Sequence, residues 1–382
     1  MSSAERLPTA IAASLGWRDR LAAWRDGLVA QRRFQRWAAS FPLTRPLVRR
    51  RALDLFDLMA GFVYSQVLLA AVRTRLFEHL ADGPKSLPEL AQLLNLPERG
   101  AQRLLDACNA LRLTEPRGEG RYGLGALGAP MPGNEAVAAM VEHHCALYAD
   151  LRDPVALLRG EPATAMAACW PYVADDRPGE LRAEHVASYS GLMSASQPMV
   201  TDELLACYRL QAHRHLLDVG GGEGRFVRRL AAEQPHLQLS LVDLPAVAER
   251  ARAALAADGL AGRVQAHGAD FFRDALPAGA DVVTLIRVLF DHDDVRVQRL
   301  LRSIRQAMAP GGTLLVAEPM RDTAGAQAMG DAYFGLYLLA MGRGRPRSIA
   351  EHRELLLAAG FRQVRVLRNP MPLHTRVLAA TA

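Results

Sequence analysis

The densest chemistry in the chain lies in the stretch LLDVGGGEGRF, residues 216–226. Gly220, Gly222 and Gly224 follow an apolar run and precede a helical one. That spacing reads as a tight turn that lets the backbone approach a ligand closely, with helix N–H groups pointed at it. Alone it is a weak signal, because glycine-rich turns also arise for structural reasons. Asp243 strengthens it: the acid ends the next apolar run, 19 residues after Gly224, where a carboxylate can accept both hydroxyls of a ribose. A solvent-facing carboxylate is the competing reading. In GADFF, Asp270 and Phe271 end a third run, where an acceptor can take an adenine amino group and a ring can cover the base. The competing reading makes Asp270 a helix cap bonded to local backbone. Nicotinamide enzymes share the first two elements, but their fingerprint is GxGxxG, suited to a pyrophosphate. Here the third Gly follows the second by two residues, and Asp218 stands just before the turn. An acid there suits a cofactor with a cationic amino-acid end and no phosphates, which favours S-adenosylmethionine.

Alternating strands and helices position these residues. From His213 the chain runs through HLLDVG, RFVRRLAAEQP, QLSLVDL, PAVAERARAALAADG, a strand near Val264, then ADVVTLIRVL and LVAEP. The alternation predicts an α/β, Rossmann-like domain over 213–382, a doubly wound parallel sheet with its ligand at the carboxyl ends of the strands. Residues 129–212 read as a mainly helical linker contributing to the substrate pocket.

Residues 52–128 read as a mainly helical winged-helix module. A helix from Leu53 to Val72 leads to SLPELAQLL, with a Ser86 cap and Glu89 three residues on, and then to a helix with Pro97 in its first turn. The turn-rich EPRGEGRYGLG follows as a wing. A DNA-reading role fits poorly: Arg99, Arg103 and Arg112 in the third helix are offset by Glu98 and Asp106, with few side chains suited to base edges. An interaction module, with no nucleic-acid partner, is the better reading.

The 382 residues favour two domains, and half of them are hydrophobic. Residues 1–51 form a basic arm, holding eleven Arg against three acids and leaving the rest of the chain at −2. Trp17, Leu21, Trp24 and Leu28 fall on one helical face; Phe34, Trp37 and Phe41 continue it until Pro42 and Pro46 stop it. Such a face packs on the body or a second subunit, or lies on an anionic membrane. Without an uninterrupted apolar run of ~18 residues, no spanning segment is expected. No secretory signal is expected either. Four scattered cysteines without a CxxC predict neither a disulfide framework nor a metal site, so a cytoplasmic protein is expected.

From Leu53 to the C-terminus the chain resembles the S-adenosylmethionine-dependent O-methyltransferases of the plant caffeate and acetylserotonin type. LLDVGGGEGRF, LVDLP, GADFF, RVLFDHDD, MAPGG and VAEPM carry the likeness. LFDLMAGFVYSQVLLA, LMSASQPMV and RVLFDHDD resemble in particular the bacterial branch acting on carotenoids, the hydroxyneurosporene (demethylspheroidene) O-methyltransferases. The resemblance implies a homodimer built through the N-terminal domain and a lipophilic small-molecule substrate. It also implies that Asp218, Gly220, Gly222, Asp243, Asp270, Phe271 and Arg287 hold S-adenosylmethionine.

One departure stands out. Where the family has a general-base His in a VLHDW-like segment, this chain has Phe290 in VLFDHDD. Of the two carboxylates that bracket that His, Glu318 matches the first, while Pro346 stands at the second. Asp291, His292 and Glu318 are the remaining candidates for catalysis, and Phe290, His143, His144 and Met193 for the pocket. A phenol or polyketide methyltransferase, a cofactor-binding protein without turnover and a winged-helix regulator are the alternatives.

Overall fold

The computed structural model describes residues 16–161, 163–169, 197–373 and 375–382, and the chain divides into two compact units, Met1–Pro130 and Met131–Ala382.

In the first unit, α1 (Trp17–Val29), α2 (Arg32–Ser40) and α3 (Arg45–Arg73) follow one another. Trp17, Leu21 and Trp24 are exposed along α1. Pro46 opens α3 rather than ending the preceding helix, since a first-turn proline lacks an N–H that would have no partner anyway. α3 then runs unbroken through residue 51, where the arm was expected to end. It is the one helix among the described residues long and apolar enough to cross a membrane by length and composition, its most apolar 18-residue window having a mean hydropathy of 1.7. Charged residues interrupt it, so it holds no uninterrupted apolar run of the kind required for a spanning segment. Helices α4 (Leu76–Ala81), α5 (Leu87–Leu93) and α6 (Glu98–Ala110) pack around buried Phe77, Leu80, Leu90 and Leu105. Ser86 N donates to Glu89 Oε2 at 2.7 Å, as the capping sequence predicts. Strands β1 (Lys85–Ser86), β2 (Thr114–Arg117) and β3 (Arg121–Leu124) form an antiparallel sheet in the order β1-β3-β2.

The second unit begins with α7 (Glu135–Asp150), α8 (Pro154–Arg159) and α9 (Ala165–Cys169). Its sheet then alternates with helices through β4 (His215–Val219), α10 (Arg225–Glu233), β5 (Gln238–Asp243), α11 (Pro245–Ala257) and β6 (Val264–Gly268). The chain continues through β7 (Val282–Ile286), α12 (Asp294–Ala307), β8 (Thr313–Glu318), α13 (Phe334–Met341) and α14 (Ile349–Ala358). β9 (Arg362–Leu367) and β10 (Arg376–Thr381) close it.

The strand order is β6-β5-β4-β7-β8-β10-β9. The first five are parallel, but β10 runs against both of its neighbours. The sheet is therefore mixed, not wholly parallel as the alternation predicts, because no crossover helix separates β9 from β10. Helices α10 and α11 bury apolar side chains on one face, α12 and α14 on the other. All five residues of β7 are buried, as expected of a central strand covered on both sides. The order reverses at β4, so the carboxyl ends of β4 and β7 form the switch point where such sheets bind ligands.

Candidate active site

The loops after β4, β5 and β6 bring the predicted cofactor residues to one edge of the sheet. Gly220 and Gly222 have φ of 72° and 56°, a region that favours glycine. A Cβ on Gly220 would sit 2.7 Å from Val288 Cγ2, whereas Gly222 faces open space. Asp243 ends β5 and holds this turn: Oδ2 accepts from Gly222 N and Oδ1 from Leu244 N, both at 2.8 Å. Asp218 is buried at the end of β4, and Thr284 Oγ1 donates to its Oδ1 at 2.6 Å. Burial pushes Asp218 up to about 7 and Asp243 up to about 6. Asp270 Oδ1 accepts from Phe272 N at 3.0 Å, so the local backbone bond of the competing reading is present. Phe271 lies half-buried against Phe272. Arg287 follows β7 with φ 56°, uncommon for a non-glycine residue, and donates to Gln197 Oε1 at 2.6 Å.

The raised carboxyls have a consequence for stability. Below pH ~4 Asp218 is protonated whether the chain is folded or not. As the pH rises, the unfolded chain ionises it freely while the fold resists, so its stability contribution is lost as pH climbs through about 7. A rise from 3.8 to about 7 corresponds to a few kcal/mol. The ligand-free protein is therefore expected to show a falling urea midpoint between pH 5 and 7.5, and Asp218→Asn should flatten the slope. Equal slopes in parent and variant would mean that Asp218 does not titrate in this way.

A 3-10 turn, Leu289–Asp291, follows β7 and is gripped from two sides. Glu318, at the end of β8, accepts from Leu289 N at 3.0 Å and Phe290 N at 3.3 Å through Oε2. Its Oε1 lies 3.1 Å from His352 Nε2, and both side chains are fully buried. The carbonyls are held by the segment before α14. Arg347, fully buried, donates to Leu289 O at 2.8 Å, His292 O at 2.7 Å and Asp294 Oδ1 at 2.8 Å. Arg345 N donates to Phe290 O at 3.0 Å. A Cβ on Gly344 would lie 2.3 Å from that same carbonyl, so the close approach needs glycine.

The side chains of this turn diverge. Phe290 enters an apolar cluster with Leu147, Met166 and Tyr337, its ring edge-on to Phe334 at 6.1 Å. His292 goes elsewhere, its ring edge-on to Phe272 at 4.7 Å and Phe271 at 6.3 Å. Burial, then the charge of Arg296, pushes its pKa down to about 3. Burial and the charge of Glu318 hold the Asp291 carboxyl well above the usual range. Phe290 and His292 thus point apart, while buried Asp291 lies near enough to Glu318 to feel its charge. Glu318 supports the turn, and His292 sits beside GADFF.

The pocket candidates do meet. His143 Nε2 lies 2.9 Å from Tyr337 Oη, and His144 Nε2 lies 2.8 Å from Tyr333 Oη, in the cluster that receives Phe290. Met193 falls outside the described residues. Sequence reasoning passed over Arg347, His352, Tyr333 and Tyr337. The i, i+4 spacing of the two tyrosines was a usable signal; nothing local marks an arginine for burial.

Residues 148–362 match the model of the O-methyltransferase domain, and residues 56–130 match the O-methyltransferase dimerisation domain. The chain belongs to the O-methyltransferase family. It is 42% identical over 345 residues to the demethylspheroidene O-methyltransferase of Cereibacter sphaeroides, covering 90% of this chain and 91% of that one. To the enzyme of that name from Rhodobacter capsulatus it is 40% identical over 342 residues, covering 89% and 84%. Among solved structures it resembles CalO1, a methyltransferase in calicheamicin biosynthesis with SAH bound, at 28% identity and a TM-score of 0.72, covering 87% and 98%. The chain is accordingly an S-adenosylmethionine-dependent O-methyltransferase with an N-terminal dimerisation domain, a homodimer acting on a small molecule.

Proposed function

We propose that this O-methyltransferase methylates a hydroxyl of an acyclic carotenoid. The observation that carries the reading is Phe290: at the base position of the family, this enzyme turns a phenyl ring into a buried aromatic and aliphatic cluster. The two demethylspheroidene O-methyltransferases, at 42% and 40% identity, support it.

The glycine turn fits the cofactor, because Gly222 opens onto free space while Gly220 and Asp243 fix the loop beside it. In this reading Asp243 accepts the ribose hydroxyls, and Asp218, Gly220 and Gly222 face the amino-acid end. Asp270 and Phe271 flank the adenine, with Arg287 along the cofactor. When bound, S-adenosylmethionine supplies a sulfonium methyl open to attack. The protein contributes position and dryness: Glu318 and Arg347 fix the turn, and Phe290 excludes water from the acceptor. An aliphatic alcohol is too weak an acid to be deprotonated beforehand, so its proton leaves late. Labelled methyl transfer to a hydroxylated acyclic polyene, with none to simple phenols, is the expected result. Turnover of phenols alone would sink the carotenoid reading.

A polyene dissolves in membranes, and α1 offers exposed Trp17, Leu21 and Trp24 among arginines. The arm in this reading touches the cytoplasmic face of an anionic membrane peripherally, while the exposed Leu55, Leu58 and Phe62 of α3 face the partner subunit. Each basic residue near such a surface contributes about 1 kcal/mol. Removal of residues 1–41 should abolish co-sedimentation with anionic vesicles at low salt and leave cofactor affinity intact. Failure of the full-length protein to sediment would make the arm a packing element.

A further inference from the structure

The turn that replaces the family's base leaves the acceptor's proton without an obvious destination. Glu318 accepts from two N–H groups of the turn and lies against His352, His292 sits beside GADFF, and burial and the charge of Glu318 raise the Asp291 carboxyl well above its usual range. The cluster receiving the Phe290 ring contains two phenol–imidazole couples on facing elements. α7 supplies His143 and His144; Tyr333 and Tyr337 lie at the start of and within the helical stretch 333–341. The tyrosine rings stack at 5.5 Å.

We propose that Tyr333, backed by His144, is the proton acceptor of the methyl transfer, so that the acceptor hydroxyl's proton passes to the phenol oxygen while the phenol's own proton passes to His144 Nε2. The inference rests on the O-methyltransferase reading and on no particular substrate beyond an aliphatic alcohol.

Three observations carry it. Phe334 links the base position to Tyr333, its ring 6.1 Å from Phe290 and 4.9 Å from Tyr333. Tyr333 also keeps partial exposure where Tyr337 is only 3% exposed, so of the two it is the one a ligand can reach. A π-helical turn, Ala328–Tyr333, ends on Tyr333, and such turns are rare and frequent at functional sites. It is pinned by Gly330, where a Cβ would lie 2.6 Å from Met320 O.

The electrostatics agree. Burial lowers the pKa of His144 and raises that of Tyr333, so at neutral pH the imidazole is a neutral acceptor and the phenol holds its proton. The bonds balance: the acceptor's O–H pair stays on oxygen, and an oxygen lone pair forms the new bond to the methyl carbon. The pair of the broken C–S bond stays on sulfur. Charge is conserved overall, moving from the sulfonium to His144.

The test compares the full-length parent with Tyr333→Phe, His144→Gln and the double variant. Tyr333→Phe keeps the ring and its stacking, and is expected to lower kcat at least 30-fold. The KM for the acceptor and the calorimetric Kd for S-adenosylhomocysteine should both stay within threefold. His144→Gln should lower kcat about 10-fold with the same KM and Kd, which keeps the question open to test if Tyr333→Phe folds poorly. The double variant should be no slower than Tyr333→Phe, because the two residues form one relay. A kcat within threefold of the parent in either single variant, or effects that multiply in the double, would overturn the relay. A parent that methylates no hydroxyl acceptor would instead overturn the functional reading.

Discussion

Asp243→Ala should weaken S-adenosylmethionine binding by at least 100-fold while leaving the protein folded. Asp243 stands where β5 ends, its oxygens already accepting from Gly222 N and Leu244 N. Each carboxylate oxygen can accept more than one hydrogen bond. The backbone bonds therefore aim the group and leave acceptor capacity for two ribose hydroxyls. Each charge-assisted bond contributes roughly 1.5–3 kcal/mol, and every 1.4 kcal/mol is tenfold in affinity. Removing both bonds and slackening the glycine turn exceeds a hundredfold. Stability should move much less, because two effects oppose one another. The variant loses a bracket across the turn, but it also loses a carboxyl that burial has pushed up to about 6. Calorimetric titration alongside urea unfolding separates the two. Unchanged affinity in a folded variant would take Asp243 out of the cofactor site.

This separation of roles shows what the sequence could carry. The glycine turn, Asp243 and Asp270 were legible because each ends an apolar run, and adjacent parallel strands place such ends together. Local bonds followed as well, including the Ser86–Glu89 contact. The direction of β10 was not legible, since a strand's apolar residues are alike whether its neighbours are parallel or antiparallel to it. The divergence of Phe290 and His292 was equally hidden. They stand two residues apart, yet a 3-10 turn sends one ring toward Phe334 and the other toward Phe272. Glu318 illustrates the remaining gap. Its position invites a catalytic role, but only long-range packing shows Oε2 accepting from the N–H groups of the turn and Oε1 lying against His352.

Arg347 is the extreme case, and its removal should have the largest effect on stability. The guanidinium is fully buried and bonds two backbone carbonyls and one carboxylate. Replacement by methionine fills most of the volume but removes every donor. His292 O then loses its guanidinium donor in a place water does not reach, costing about 1–3 kcal/mol, while Leu289 O keeps a bond from His292 N at 3.2 Å. Asp294 keeps Arg345, which donates to its Oδ2 at 2.8 Å, so its share of the loss is small. The expected fall in unfolding free energy is about 3–5 kcal/mol, in line with breaking a buried charged pair. Arg347→Lys should recover little of it, because one ammonium cannot span three acceptors that a planar guanidinium reaches together. The same change frees the turn that carries Phe290, so the substrate wall loosens with the fold. Cofactor affinity should fall less than in Asp243→Ala, since Arg347 touches the turn after β7 and not the glycine loop. Urea unfolding of Arg347→Met decides the matter: a loss below about 1 kcal/mol would mean that the carbonyls find other donors, and that Glu318 alone holds the turn.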